Sequence, residues 1–256
     1  MIFILGGKGF VGSAFARYCQ SNGIPYEIID RKNYDSYKGR SCDIFINANG
    51  NSSKVLASNR PMEDFEATVQ STRKSLLDFQ FKKYVLISSC DVYPDFSDPT
   101  KSSEDSKIDI TRQSTYGFHK YLAEESMKHG AKDWLIVRLG GMVGMGLKKN
   151  PIFDVINGGP LWVDPQSELQ YMNTDDVAKT VFKLVKENIT REVFNVCGKG
   201  LVKLQNLLDV HSVKVNPNSP AVKYNVNIEK IEKIIPMPDS VETVMNFIKN
   251  VKQVRT

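Results

Sequence analysis

Long hydrophobic runs, clustered cysteines and blocks of one charge are all missing from this chain of 256 residues. Its four cysteines, Cys19, Cys42, Cys90 and Cys197, lie far apart with no metal-type spacing, which argues against a zinc site and against a disulfide framework. No apolar run approaches the roughly 20 residues that a spanning helix needs. The first apolar segment begins at residue 2, so no signal-peptide pattern precedes it, and the chain reads as soluble and cytoplasmic, with no membrane partner. Lys and Arg total 34 against 29 Asp and Glu. Lysines such as Lys148, Lys149, Lys199 and Lys203 are scattered, without the basic block and interleaved aromatics of a nucleic-acid binder. Internal repeats and proline- or glycine-rich linkers are also lacking.

What is present is an alternation of short apolar runs with helical stretches, the pattern of a parallel, doubly wound α/β sheet. Strands are expected at Ile2–Leu5, Pro25–Ile29, Asp43–Ile46, Lys83–Ile87 and Trp134–Arg138, and later at Val193–Val196. Between them, Pro61–Phe79 carries Phe65, Val69, Leu76 and Leu77 at roughly helical spacing, and Tyr116–Met127 supplies another helix. The Ser-, Asp-, Thr- and Lys-rich stretch Asp95–Ser114 reads as an exposed loop. Further helices are expected over Thr174–Glu187, Val202–Val210 and Asp239–Val251, the last opened by an Asp239-x-x-Glu242 capping pattern. With 41% hydrophobic residues the chain can bury a large core. Residues 1–140 are expected to form a Rossmann-type dinucleotide-binding domain, and residues 141–256 a small C-terminal substrate lobe interleaved with it.

Two patterns carry chemistry. The run Gly6-Gly7-Lys8-Gly9-Phe10-Val11-Gly12 follows the first strand and opens a helix-like segment, so Gly6, Gly9 and Gly12 suit a tight turn, an approach to pyrophosphate and close helix–strand packing. Helix N–H groups would then face a diphosphate. Asp30, at the end of the second strand about twenty residues on, is placed to accept from ribose hydroxyls. The second pattern is Tyr116-x-x-x-Lys120, one helical turn apart. An ammonium close to a phenol is expected to lower its pKa from about 10, making Tyr116 a usable acid/base. Asp30 favours NAD, whereas Arg31, Lys32 and Lys8 suit the extra phosphate of NADP; both cofactors stay open, with NAD preferred.

Together with Ile87-Ser88-Ser89-Cys90-Asp91-Val92-Tyr93, Arg138-Leu139, Asp175-Asp176-Val177-Ala178 and Phe194-Asn195-Val196, these motifs resemble the extended short-chain dehydrogenase/reductases, in particular the sugar-nucleotide epimerases, dehydratases and reductases. The resemblance spans nearly the whole chain. It implies a catalytic set of Ser89, Tyr116 and Lys120, with Ser88 as the fallback serine, and a cofactor-lining loop at Asn49 and Gly50. It also implies that Lys120 reaches the nicotinamide ribose and that the substrate is a small molecule, a nucleotide sugar. The 4,6-dehydratases carry Asp-Glu where Cys90-Asp91 stand, so dehydration is disfavoured and epimerisation or 4-keto reduction remains. Gly141 stands where the family usually has a side-chain amide. A redox sensor that binds NAD(P) without turnover, a smaller non-nucleotide substrate and a homodimer all stay open.

Overall fold

The computed structural model describes residues 1–208 and 213–255. Its centre is a six-stranded parallel sheet flanked by helices. We label the first five strands β1 (Ile2–Leu5), β2 (Tyr26–Ile29), β3 (Ser41–Asn47), β4 (Gln80–Ser89) and β5 (Trp134–Leu139); the sixth is Glu192–Val196. Across the sheet the order is β2-β1-β3-β4-β5 followed by Glu192–Val196. β1 pairs on one side with β2, Ile4 opposite Ile28, and on the other with β3, Ile4 opposite Ile46. Helices cover both faces of such a sheet, so its strands need apolar residues on both sides. All of β1 and β5 and the last seven residues of β4 are buried accordingly.

A cluster of Phe3, Phe45, Phe79, Tyr84, Leu86, Met127 and Ile136 fills one face. Phe45 and Tyr84 stack at 5.1 Å between ring centroids. The buried Tyr84 hydroxyl is satisfied by Asn47 Nδ2 at 2.9 Å and Ser75 Oγ at 2.6 Å, so the ring can sit in the core without an orphaned polar atom.

The helix expected over Pro61–Phe79 is three joined pieces: α-helix Pro61–Phe65, a π-turn Glu66–Gln70 and α-helix Ser71–Asp78. Pro61 at its first position suits the helix, because no N–H is needed there. The helix Thr115–Gly130 starts where Ser114 caps it, accepting from Gly117 N at 3.1 Å, and runs three residues past the expected end at Met127.

Residue contacts divide the chain into two compact units. The first comprises 1–94, 104–139 and 175–194; the second comprises 95–103, 140–174 and 195–256. The second holds a core of Val143, Ile152, Leu161, Tyr171, Leu204 and Val244. Two local expectations are corrected there. Asp95–Ser103 is not a plain exposed loop: Ser102 is fully buried and Phe96 stacks on Tyr224 at 3.9 Å. Val202–Val210 is not one helix: Val202–Lys203 pairs with Glu168–Leu169 as strand before the helix Gln205–Leu208, and the remainder of that stretch lies outside the described residues. The final helix, Ser240–Arg255, is capped by Asp239, whose carboxylate accepts from Glu242 N at 2.9 Å.

Candidate active site

The strand order reverses between β1 and β3, and a doubly wound sheet opens its crevice at the carboxyl ends of the strands where that happens. The glycine run, Asp30, Asn49, Gly50 and Ser89 follow or end β1, β2, β3 and β4, and so share that edge.

Gly6 has φ +79°, and a Cβ there would lie 2.9 Å from the Ala48 carbonyl oxygen. A Cβ on Gly12 would run into the Gly6 carbonyl, whereas one on Gly9 would lie 3.1 Å from the same oxygen. The turn is closed by Gly9 N donating to Gly6 O at 2.8 Å, with Gly6 N bonded to Ile29 O at 3.0 Å. Half-buried Phe10 and Val11 lead into the helix Gly12–Ser21, and Val11, at its N-cap, gives no side-chain cap. Backbone carbonyls take part of that role, Ser13 N donating to Gly9 O at 2.9 Å and Ala14 N to Val11 O at 3.1 Å. The cradle fits a dinucleotide pyrophosphate.

At the end of β2, Asp30 Oδ2 accepts from Lys8 Nζ at 2.5 Å and Oδ1 from Lys32 N at 2.8 Å. The Lys8 hydrogen bond, followed by that of Lys32, holds the Asp30 carboxyl below its usual range. Lys8 is thus joined to the acid it was expected to oppose, and Arg31 is exposed beside it. After β3, Asn49 Nδ2 donates to Ser71 Oγ at 2.7 Å. Gly50 has φ +124°, and a Cβ there would lie 3.1 Å from Lys120 Nζ and 3.4 Å from Thr68 Oγ1. A bare backbone at Gly50 makes the space in which the lysine head sits.

Tyr116, Ser89 and Lys120 come together and are all buried. A Cβ on Gly117 would run into the Asp91 carbonyl, so glycine lets the helix start press against the turn that follows β4. That contact brings the Tyr116 phenol near the Ser89 hydroxyl and the Asp91 carboxylate, both of which act on it. Lys120 Nζ lies over the Tyr116 ring, 5.5 Å from its centroid.

The expected lowering of the Tyr116 pKa does not hold. Burial, then the Asp91 carboxylate, push the phenol up, with the Ser89 hydrogen bond pulling the other way. Burial lowers Lys120 to about 8, against the pull of the Asp64, Asp91 and Glu124 carboxylates. Spacing alone put a cation beside the phenol, but the low dielectric of the site acts more strongly on both groups.

Ser88 is committed elsewhere, donating to Glu124 Oε1 at 2.5 Å. Glu124 also holds Arg138, with contacts of 2.6 to 3.2 Å, and Arg138 donates to the Tyr93 hydroxyl at 2.7 Å. Sequence reasoning named Tyr93 and Arg138 only as motif members and Ser88 as the fallback serine; the buried network they form with Glu124 depends on β4, β5 and the helix meeting. It also missed Lys54, which pairs with Asp91 at 2.5 Å, while the Ser89 hydroxyl donates to the other Asp91 oxygen at 3.1 Å. Asp64 and His119, sharing a 2.7 Å hydrogen bond, were missed as well. The signal for that pair was a histidine, one of only three, immediately before Lys120. Cys90 is a buried thiol that donates to Arg138 O at 3.4 Å.

In the second unit, Gly141 has no room for a side chain: a Cβ would lie 2.5 Å from Gln170 O and 2.9 Å from Tyr171 Cδ1. Asn150 caps the helix Pro151–Asn157, accepting from Phe153 N at 2.8 Å. Buried Gln170 brackets Val226 with bonds of 3.1 and 2.8 Å.

The model of the NAD dependent epimerase/dehydratase family matches residues 2–197, and the chain belongs to that family. A search of curated proteins finds none that matches it. Among solved structures, MoeE5 in complex with UDP-glucose and NAD is similar, with a TM-score of 0.81 at 14% identity over 100% of this chain and 99% of that one. A UDP-galactose 4-epimerase has a TM-score of 0.79 at 18% identity, covering 99% of each chain. A dTDP-4-dehydrorhamnose reductase from Clostridium acetobutylicum also scores 0.79 at 18% identity, over 98% and 99%. Identities this low show a shared fold. Among the described residues no group of His, Cys, Asp and Glu is arranged to hold a metal, and no helix is long and apolar enough to cross a membrane.

Proposed function

We propose that the chain is an NAD-dependent enzyme that oxidises or reduces a carbinol or ketone carbon of a nucleotide sugar, as an epimerase or 4-keto reductase. Ser89, Tyr116 and Lys120 are its catalytic set. Family membership supports the class, and one observation carries the site: Ser89, Tyr116 and Lys120 are buried together, with the Lys120 head over the phenol ring, 5.5 Å from its centroid.

A bound nicotinamide dinucleotide supplies hydride acceptance and donation. Gly6, Gly9, Phe10, Val11 and Gly12 hold its pyrophosphate, Asp30 accepts from its ribose hydroxyls, and Asn49, Gly50 and Lys120 line its far end. An Asp30 held ionised by Lys8 repels a further phosphate, which favours NAD over NADP. Since burial raises the Tyr116 pKa, the phenol keeps its proton at neutral pH and enters as an acid, donating to a developing alkoxide. In the reverse direction it takes that proton back. Ser89 both donates and accepts, so it can stay bonded to the same oxygen as a carbinol becomes a ketone. The second unit serves as the substrate lobe.

Tyr116→Phe removes the exchanged proton and leaves the rest in place. Turnover of nucleotide sugars and their 4-keto forms should fall about a hundred- to ten-thousand-fold, with NAD affinity nearly unchanged. Lys120→Met should lower both. A Tyr116→Phe variant that turns over like the parent contradicts this assignment and directs attention to Asp91.

A further inference from the structure

Lys120 is buried, yet among the described residues its ammonium has no carboxylate within ion-pair distance. A buried ammonium with nothing to balance it is costly and gives up its proton. Three carboxylates act on it: Asp64 from the helix Pro61–Phe65, Asp91 from the turn after β4, and Glu124 from its own helix. The other titratable groups beside it are Tyr116, under its head, and His119, bonded to Asp64.

Two of the three acids are already balanced. Asp91 pairs with Lys54 at 2.5 Å, and Glu124 is held through both oxygens by Arg138. Asp64, only 1% exposed, has neither lysine nor arginine on it among the described residues. Its Oδ2 shares the 2.7 Å bond with His119 Nδ1, and its Oδ1 accepts from Asn51 Nδ2 at 2.9 Å and from Thr68 Oγ1 at 3.4 Å. Thr68 stands on the π-turn and, with Lys120 Nζ, overhangs Gly50. The wider turn therefore puts the hydroxyl that fixes Asp64 on the side where the lysine head lies.

We propose that Asp64 is a positioning residue, the buried counter-charge of the Lys120 ammonium, held in place by His119, Asn51 and Thr68. It would keep Lys120 charged in a site too dry to do so unaided, while touching neither cofactor nor substrate. The catalytic role of Lys120 rests on the reading above; the electrostatic claim does not, and it is tested without cofactor or substrate.

The test is the pH dependence of Lys120 acetylation by acetic anhydride, followed by peptide mass spectrometry on the full chain. In the parent the midpoint should fall near 8, the value to which burial lowers Lys120. In Asp64→Asn, which keeps the shape, it should drop by about one pH unit or more. Asp91→Asn should move it less, because Lys54 already balances that acid. Thr68→Val, which keeps the charge and removes only one of the three bonds that hold it, should shift it less than Asp64→Asn. An Asp64→Asn midpoint equal to the parent's, or a larger shift in Asp91→Asn, overturns the proposal. So does a parent midpoint near 5–6, the range of buried lysines with no counter-charge; this last reading needs no variant to fold. If the midpoints behave as expected but calorimetry finds no NAD binding, the functional reading fails and the counter-charge stands.

Discussion

Gly9 and Gly12 occupy equivalent places in the glycine pattern, yet the turn treats them differently. A methyl on Gly12 would enter the Gly6 carbonyl, so Gly12→Ala should cost folded protein; on Gly9 it would be 3.1 Å away, which a small shift relieves. Gly9→Ala should therefore melt close to the parent, while calorimetry finds NAD affinity weakened roughly tenfold or more, about 1.4 kcal/mol. Lys120 offers a second contrast, between stability and function. Its pKa falls from 10.5 to about 8 on folding, so between those values the unfolded chain binds more protons and stability rises with pH. Below about 8 the buried charge is a cost that Lys120→Met removes. That variant should withstand more urea than the parent at pH 7, with the gap closing as pH rises through 8 toward 10. A gap that widens over that range contradicts the sign. Neither contrast was legible in the sequence, because both depend on what surrounds a residue rather than on its spacing.

Among the elements, the helix Thr115–Gly130 does the most to assemble the site, since it carries Tyr116 and Lys120 on one side and Glu124 into the core. The pair Glu124–Arg138 is almost completely buried, which makes it weak as a source of stability but expensive to break. Glu124→Ala should cost about 3–5 kcal/mol by chemical denaturation, because Arg138 is left charged with no counter-ion. Replacing both together, Glu124→Leu with Arg138→Met, should recover most of that loss. The first five strands and this helix could be read from the sequence because two-sided burial writes each parallel strand as an apolar run. Val202–Lys203 could not, since a two-residue strand has no period of its own and the residues after it looked helical. Nor could the π-turn at Glu66–Gln70, where the apolar spacing stays helical although the backbone widens.

For the molecule as a whole, the sheet reverses its strand order between β1 and β3, and a doubly wound sheet opens its crevice at the strand ends there. The glycine turn, Asp30, Ser89, Tyr116 and Lys120 stand out by their order along the chain, and the site proposed here is built from them. What order could not supply was the charge environment: Lys8 joined to Asp30, Lys54 to Asp91, and a tyrosine whose proton is held more tightly by burial. The central claim is that hydride passes between NAD and a nucleotide-sugar carbon with Tyr116 moving the proton. The most direct test is mass spectrometry of the nicotinamide in rapidly quenched single turnovers of the NAD-loaded protein with nucleotide sugars deuterated at C4, before an epimerase could return the deuteride to the sugar. The account predicts that deuterium moves from sugar to nicotinamide with the parent, and at least about a hundredfold more slowly with Tyr116→Phe. Deuterium transfer at the parent rate in Tyr116→Phe, or none from any sugar to a protein that binds NAD, would contradict it.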